Sequence, residues 1–393
     1  WWKEEKMRKE KGIALLPIGV FLVLYLGLGI LFEYVMDIPM GFYNVPIVIA
    51  FLAAILVACL QNRALNFDRK LEIMAQGVGD KNIITMLLIF LTAGSFVGVV
   101  GRSSAESVAY CMLSLIPARF SVAVLFVVAC FVSVAMGTSV GTITLLIPIA
   151  AAVSNASGFN LAFCVASVMG GAMFGDNLSM ISDTTIAATK TQGCEMKDKF
   201  KINFKVILPA AILVIVIYTF LGSGANTSVG QYDYNFIKII PYLGILIAAL
   251  MGANVIAILS GGIVLAGAIG FFTGSLDLKT FFTSISTGIG GMSELILISI
   301  IIGGIVEIIK ENGGIDYVLN LVTKRINGKK GAEFGIGLLV SLVDACTANN
   351  TIAIVTVGPL AKDISDEYNL DSKRIAGILD MFSCAVQGII PYG

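Results

Sequence analysis

The chain has 393 residues, of which 57% are hydrophobic and 13% are charged, and its 26 basic residues equal its 26 acidic ones. This composition excludes an ordinary soluble domain and indicates a protein whose solvent is lipid. Because histidine is absent from the sequence, imidazole metal sites and a histidine-centred proton relay are excluded, so a proton carrier must be a carboxylate, a lysine or a cysteine.

Uncharged segments recur along the chain, and each is at least about as long as the ~20 residues that cross a hydrocarbon core. They cover residues 13–32, 38–62, 82–101, 120–175, 206–232 and 239–276. The series predicts an all-α polytopic membrane protein, multi-pass in the inner (plasma) membrane. The lysine-rich segment 190–205 is assigned to the cytoplasmic side, because basic residues concentrate in cytoplasmic loops.

The uncharged segment 120–175 is far too long for a single crossing, so the chain must turn within it. The natural break is AMGTSVGT at 135–142, where Gly137 relaxes the helix and Thr138 and Ser139 supply oxygens. A break leaves backbone groups unpaired, so it must be buried in protein or line a wet cavity. A structural role stays open for this segment alone, because such side chains also bond their own backbone.

The segment GDNLSMISDTT at 175–185 ends this uncharged stretch with carboxylates and hydroxyls. Gly170, Gly171 and Gly175 interrupt the apolar helix before them, which predicts an unwound helix near 175–185. Such oxygens are ligands for a hard cation such as Na⁺. A polar surface loop with Asp183 as a helix cap is the alternative. The candidate ligands are Gly175, Asp176, Asn177, Ser179, Ser182, Asp183 and Thr184.

An internal repeat with an offset of 211 residues overlays GVG at 77–79 on GIG at 288–290, and Pro148 on Pro359. In this register the first break aligns with DACTANNT at 344–351. Repeated halves are the usual construction of secondary transporters, with binding sites near the bilayer midplane. The second break adds the candidates Asp344, Thr347, Asn349, Asn350 and Thr351.

The register divides the chain into four parts. Residues 1–40 form an N-terminal tail and the first membrane helix, 41–200 the first repeat, 201–245 one or two linking helices, and 246–393 the second repeat. The sequence lacks an initiator methionine and ends inside the second counterpart of GDNLSMISDTT. We therefore expect a C-terminal portion to be missing.

GDNLSMISDTT resembles the GDxLSPLSDTT signature of the NhaC-type Na⁺/H⁺ antiporters, with Met180 in place of the proline and Asn177 where a lysine is frequent. NNTIAIVTVGPLA at 349–361 is more distantly similar to the hairpin tips of sodium/dicarboxylate carriers in the ion transporter superfamily. The resemblance implies an inverted-topology repeat, two re-entrant helical hairpins with tips near 137–142 and 347–351, and broken transmembrane helices. It also implies an elevator mode of transport and a homodimer.

Two functions follow from these residues. The first is Na⁺/H⁺ antiport, in which a buried acid alternately holds Na⁺ and a proton. The second is Na⁺-coupled transport of a small organic solute, an amino acid or a carboxylate. An enzyme has little support, because the sequence has no histidine to act as a general base.

The expected surroundings are the lipid bilayer, with Na⁺ and H⁺ as coupling ions, no other cofactor and no nucleic acid. The predicted Na⁺ ligands are Thr138, Ser139, Asp176, Asp183, Asn349 and Asn350.

Overall fold

The computed structural model describes residues 12–38, 44, 46–180, 182–222, 233–251, 253–323 and 328–390. Within these ranges all regular secondary structure is helical. Seven helices are long and apolar enough to cross a membrane, or up to eight if the bent pair Leu278–Gly291 and Ser293–Glu311 is one span. The all-α polytopic class predicted from composition is confirmed. The basic N-terminal residues and the last three residues lie outside the described ranges.

Helix α1 (Leu16–Ile30) follows a 3₁₀ turn and carries a proline in its first turn, where the missing N–H has no helical partner. It packs on α2. The first half then contains α2 (Ile47–Leu60), α3 (Phe67–Val78), α4 (Lys81–Val100), α5 (Arg102–Leu115), α6 (Ser121–Met136), α7 (Ser139–Ser157) and α8 (Leu161–Leu178). The uncharged segment 120–175 is thus divided among three helices. The described part of segment 38–62 holds only the shorter helix α2.

Three helices connect the halves: α9 (Asp183–Gln192), α10 (Met196–Leu221) and α11 (Phe236–Leu250). The second half contains α12 (Val255–Phe272), α13 (Leu278–Gly291), α14 (Ser293–Glu311), α15 (Gly314–Thr323), α16 (Gly328–Thr347), α17 (Asn350–Glu367) and α18 (Ser372–Gln387).

Helix boundaries recur at the 211-residue offset. Thr138 accepts a hydrogen bond at the start of α7, and its counterpart Asn349 does the same at the start of α17. Asn160 caps α8 in this way, and its counterpart Asp371 caps α18. Such side chains are favoured at helix starts because they satisfy otherwise unpaired N–H groups. Helices α2 to α8 therefore have counterparts, in the same order, in α12 to α18.

Helices of the two halves pack crosswise: α3 packs on α14, the counterpart of α4, and α4 packs on α13, the counterpart of α3. Small residues let these backbones approach closely. A Cβ atom added at Gly77 would lie 2.1 Å from the backbone oxygen of Gly303, and one at Gly98 would lie 2.1 Å from that of Ser284. Close approach through small residues is typical of helix packing in membranes.

The most polar buried region lies where four helices meet. Helices α8, α9 and α10, which follow one another in the chain, all contact one another and all contact α18 of the second half. Because α6 and α7 pack on α8 while α16 and α17 pack on α18, this junction is also connected to both helix breaks.

Candidate ion-binding site

The first helix break is a tight turn between α6 and α7. Gly137 ends α6 in the left-handed conformation, with φ 68°, and Thr138 is extended. The Thr138 hydroxyl accepts a hydrogen bond from the Gly141 N–H at 3.3 Å. Ser139 begins α7 and is buried. Its hydroxyl donates to Asp176 Oδ2 over 3.3 Å, so the break directs an oxygen at the carboxylate on α8.

The second break has the same backbone construction. Ala348 follows α16 with φ 51°, and Asn349 is extended, with φ −154° against −153° at Thr138. The Asn349 side chain accepts a hydrogen bond from the Ile352 N–H at 2.9 Å. Both breaks therefore lie inside the segments that the sequence analysis named, 135–142 and 344–351.

The helix break predicted near 175–185 is present between α8 and α9, but the glycines before the carboxylates do not unwind α8. The helix continues to Leu178, and the break begins only at Ser179. A Cβ atom at Gly171 or Gly175 would lie 2.4 Å from a backbone oxygen of α6, so these glycines allow the two helices to pack closely. The break ends at Ser182, which caps α9; Ile181 lies outside the described residues.

Asp176 is the carboxylate that the structure surrounds with hydroxyls. It is 3% exposed and stands in the last turn of α8. Its Oδ1 accepts from the Ser182 hydroxyl at 2.7 Å, and the Ser182 oxygen lies 2.8 Å from that of Thr184. Together with Ser139 on the opposite side, these groups form a set of carboxylate and hydroxyl oxygens, the ligand type that hard cations prefer.

A buried lysine that the sequence analysis assigned to a loop lies beside this set. Lys199, in the first turn of α10, is 1% exposed. Its Nζ donates to the Asn177 backbone oxygen and to the Thr185 hydroxyl, each at 2.7 Å, and forms an ion pair with Asp380 on α18. The ammonium group thus joins both sides of the α8–α9 break to the second half.

Lys199 and Asn203 lie on one buried face of α10. The two residues are four apart on α10 and are both buried, whereas Lys197 and Lys201 are exposed, so a single helix face enters the protein. Asn203 Nδ2 donates to the side-chain oxygen of Asn177 at 2.7 Å. Because Lys197 and Lys201 are also four residues apart, this spacing alone does not identify Lys199 as a site residue from the sequence.

Contacts continue from Asp380 to the second break. The Cys384 thiol lies 3.6 Å from Asp380 Oδ1, and Asn350 Nδ2 lies 3.8 Å from the Cys384 sulfur. Two sets of polar contacts therefore meet at the neighbouring residues Asp176 and Asn177 on α8. One set joins Asp176 to Ser139 at the first break, and the other runs from Asn177 through Lys199, Asp380 and Cys384 to Asn350 at the second break.

Several predicted residues have other surroundings and are not hydrogen-bonded to the Asp176 carboxylate among the described residues. Asp183 is exposed in the first turn of α9. Asp344 is completely buried on α16, and neither of its carboxylate oxygens has a hydrogen-bond partner among the described residues. Thr347 donates to a backbone oxygen of its own helix, and the Thr351 N–H donates to the Asn350 side chain. The described residues hold no group of three or more His, Cys, Asp or Glu that is suited to a metal ion.

Charged residues buried between broken helices of a polytopic membrane protein are typical of membrane transporters. Sequence comparison identifies the family. The Na⁺/H⁺ antiporter family matches residues 14–223 and 234–393, and the chain belongs to this family. Membership confirms the resemblance of GDNLSMISDTT to NhaC-type antiporters, and it makes the protein a multi-pass membrane transporter and not an enzyme.

The names of individual relatives state different transported substrates. The chain is 24% identical over 381 residues to the Na⁺/H⁺ antiporter NhaC of Bacillus subtilis, covering 86% of this chain and 82% of that protein. It is 21% identical over 413 residues to the malate-2H⁺/Na⁺-lactate antiporter of the same bacterium, covering 96% and 86%. The arginine/ornithine antiporter ArcD of Halobacterium salinarum is 21% identical over 260 residues, covering 58% and 54%.

Proposed function

We propose that this protein exchanges Na⁺ for H⁺ across the membrane and that the two cations compete for Asp176. The observation that carries the proposal is the environment of this carboxylate, which is buried and hydrogen-bonded to hydroxyls from both sides, Ser139 at 3.3 Å and Ser182 at 2.7 Å. Membership of the Na⁺/H⁺ antiporter family and the similarity to NhaC support it.

The exchange follows from the cost of burying a charge. An ionised carboxylate away from water is unstable unless a cation compensates it, and a proton or Na⁺ does so equally in charge. When Na⁺ binds, the hydroxyl oxygens of Ser139 and Ser182 turn their lone pairs towards the ion. When a proton binds instead, the neutral carboxyl group keeps hydrogen bonds to the same hydroxyls. One cation therefore excludes the other.

The remaining predicted ligands have supporting roles in this proposal and do not bind Na⁺ directly. Thr138 and Asn349 cap the helices that begin at the two breaks, so in this proposal they hold the shape of the breaks. Asn350 reaches Asp380 through Cys384. Asp183 lies on the exposed side of the α8–α9 break, where it attracts cations before they reach Asp176.

We also propose that residues 41–200 and 246–393 form an inverted repeat, with 1–40 preceding it and 201–245 linking it, and that α6–α7 and α16–α17 are re-entrant hairpins. The recurring helix caps, the matching torsion angles at the two breaks and the crosswise packing of α3 on α14 and of α4 on α13 support this arrangement. In an elevator mode the hairpins would move with the α8, α9, α10 and α18 junction against a homodimeric remainder.

A second candidate is exchange that involves an organic acid or amino acid. It is favoured by Lys199, because a buried ammonium group is a partner for a substrate carboxylate. Two relatives are named as antiporters of malate and lactate and of arginine and ornithine. In this mode Asp380 would give up Lys199 to the substrate.

The test is Na⁺-driven proton movement in proteoliposomes that contain a pH-sensitive dye. Na⁺ is added outside proteoliposomes that hold a preformed pH gradient. It should dissipate the gradient when they contain the wild-type protein and not when they contain Asp176→Asn. Asp68→Asn is the matched control, because Asp68 is an exposed first-turn aspartate on α3. Lack of Na⁺-driven proton movement in the wild type, together with uptake of labelled malate, lactate or arginine, would replace the first function by the second.

A further inference from the structure

The charges of the site sum to one negative charge. Two buried carboxylates, Asp176 and Asp380, and one buried ammonium, Lys199, lie in the same network. Lys199 is paired with Asp380 and also donates to the backbone oxygen of Asn177, the residue next to Asp176. Lys199 therefore already supplies, at Asp380, one of the positive charges that the two carboxylates require.

Lys199 is fixed in that position. Its Nζ has three acceptors: the Asn177 backbone oxygen, the Thr185 hydroxyl and the Asp380 carboxylate. An ammonium group has three hydrogens to donate, so all of its capacity is used. Withdrawing it would leave a buried carboxylate and a buried carbonyl without their partner, which is costly.

We propose that Lys199 makes the site selective for monovalent cations by occupying the place that a second positive charge would need. This inference rests on the proposed cation site at Asp176. With Lys199 present, a single Na⁺ or Li⁺ brings the network to neutrality. A Ca²⁺ or Mg²⁺ ion would leave an excess positive charge in a buried region and would be repelled by the nearby ammonium group.

The same oxygens would otherwise be good ligands for divalent ions. Two carboxylates with adjacent hydroxyl and carbonyl oxygens are the ligand type of Ca²⁺ and Mg²⁺ sites. The selectivity is therefore expected from the repulsive charge and not from the ligands, since discrimination between partners often depends on an element that disfavours the wrong one.

Substitutions at two positions set the site charge in steps. Lys199→Gln leaves two uncompensated carboxylates, and Asp380→Asn leaves Asp176 and Lys199, which cancel. The double variant Lys199→Gln/Asp380→Asn restores one negative charge. Lys197→Gln is the matched control, because Lys197 is exposed two residues earlier on the same helix.

The measurement is thermal unfolding of the purified, detergent-solubilised protein in chloride salts of Na⁺, Li⁺, Ca²⁺ or Mg²⁺, with choline chloride as the reference at equal ionic strength. A bound ion raises the unfolding temperature by mass action. We expect Na⁺ and Li⁺ to stabilise the wild type and Lys197→Gln. For Lys199→Gln we expect stabilisation by Ca²⁺ or Mg²⁺ of at least about 3 °C at saturating ion. Asp380→Asn should lose Na⁺ stabilisation, and the double variant should regain it.

Each outcome decides something different. If Na⁺ stabilises the wild type but divalent ions stabilise Lys199→Gln no more than Lys197→Gln, the inference about Lys199 is wrong and the cation site stands. If Lys199→Gln does not fold, Asp380→Asn and the double variant decide. The inference is overturned if Asp380→Asn loses stabilisation by Na⁺ and the double variant does not regain it. A wild type that neither Na⁺ nor Li⁺ stabilises contradicts the proposed cation site itself.

Discussion

Gln387, the last residue of α18, donates its side-chain Nε2 to the backbone oxygen of Ala348 at the second helix break, over 3.2 Å. In the register of the repeat, Gln387 occupies the position that Asp176 has in the first half, and Asp176 reaches the first break through Ser139. The last turns of α8 and α18 are therefore tied to their breaks in related ways, but only the first connection contains a carboxylate. The two halves share a framework and differ in charge.

The first prediction concerns the two aspartates of GDNLSMISDTT. Asp176→Asn should lower the rate of Na⁺-driven proton movement by about tenfold or more relative to Asp183→Asn, because a hydrogen bond or ion contact to a buried charge is worth ~1.5–3 kcal/mol. Asp183 is exposed, and water screens its charge. The measurement is the initial rate of dye recovery in proteoliposomes with equal amounts of folded protein. Equal rates for the two variants would contradict the central role of Asp176.

The second prediction concerns the packing of α8 on α6. Gly171→Ala would place a Cβ atom 2.4 Å from the backbone oxygen of Phe126, and a backbone atom cannot turn aside. The helices must separate, at a cost of about 1–3 kcal/mol. The neighbouring substitution Gly170→Ala is the control, because its Cβ atom would meet the ring of Phe126 at an ordinary 3.6 Å. Thermal unfolding in detergent should show a clear loss for the first variant and little change for the second.

The helical membrane class and the two breaks could be predicted from the sequence because they depend on local properties. Long uncharged segments, paired glycine and polar clusters and a regular offset all leave a direct trace in the residues. The role of Gly171 and Gly175 could not be predicted in this way, because glycine both loosens a helix and permits close packing, and only the neighbouring helix decides between the two.

The ion pair between Lys199 and Asp380 escaped prediction for a related reason. These residues are distant in the chain. A lysine-rich loop is an ordinary explanation for Lys199, and although an acid in an apolar helix such as Asp380 is a functional candidate by default, its position does not identify its partner. Their pairing depends on how α10 packs on α18. Contacts between distant elements that obey no sequence period leave no trace in a single sequence, and the charge of the site depended on one such contact.

The last prediction concerns the backbone at the two breaks, where Gly137 and Ala348 both have the left-handed conformation, with φ 68° and 51°. This conformation costs an alanine roughly 1–2 kcal/mol, so Gly137→Ala should destabilise the protein by about that amount, and Ala348→Gly should leave its stability unchanged or slightly higher. Gly158→Ala gives the cost of the conformation alone, because Gly158 has φ 75° with open space around its Cβ position. Thermal unfolding of the three variants under one condition is the measurement. An Ala348→Gly variant as unstable as Gly137→Ala would show that the second break does not keep this backbone conformation. That result would contradict the equivalence of the two breaks, on which the proposed repeat depends.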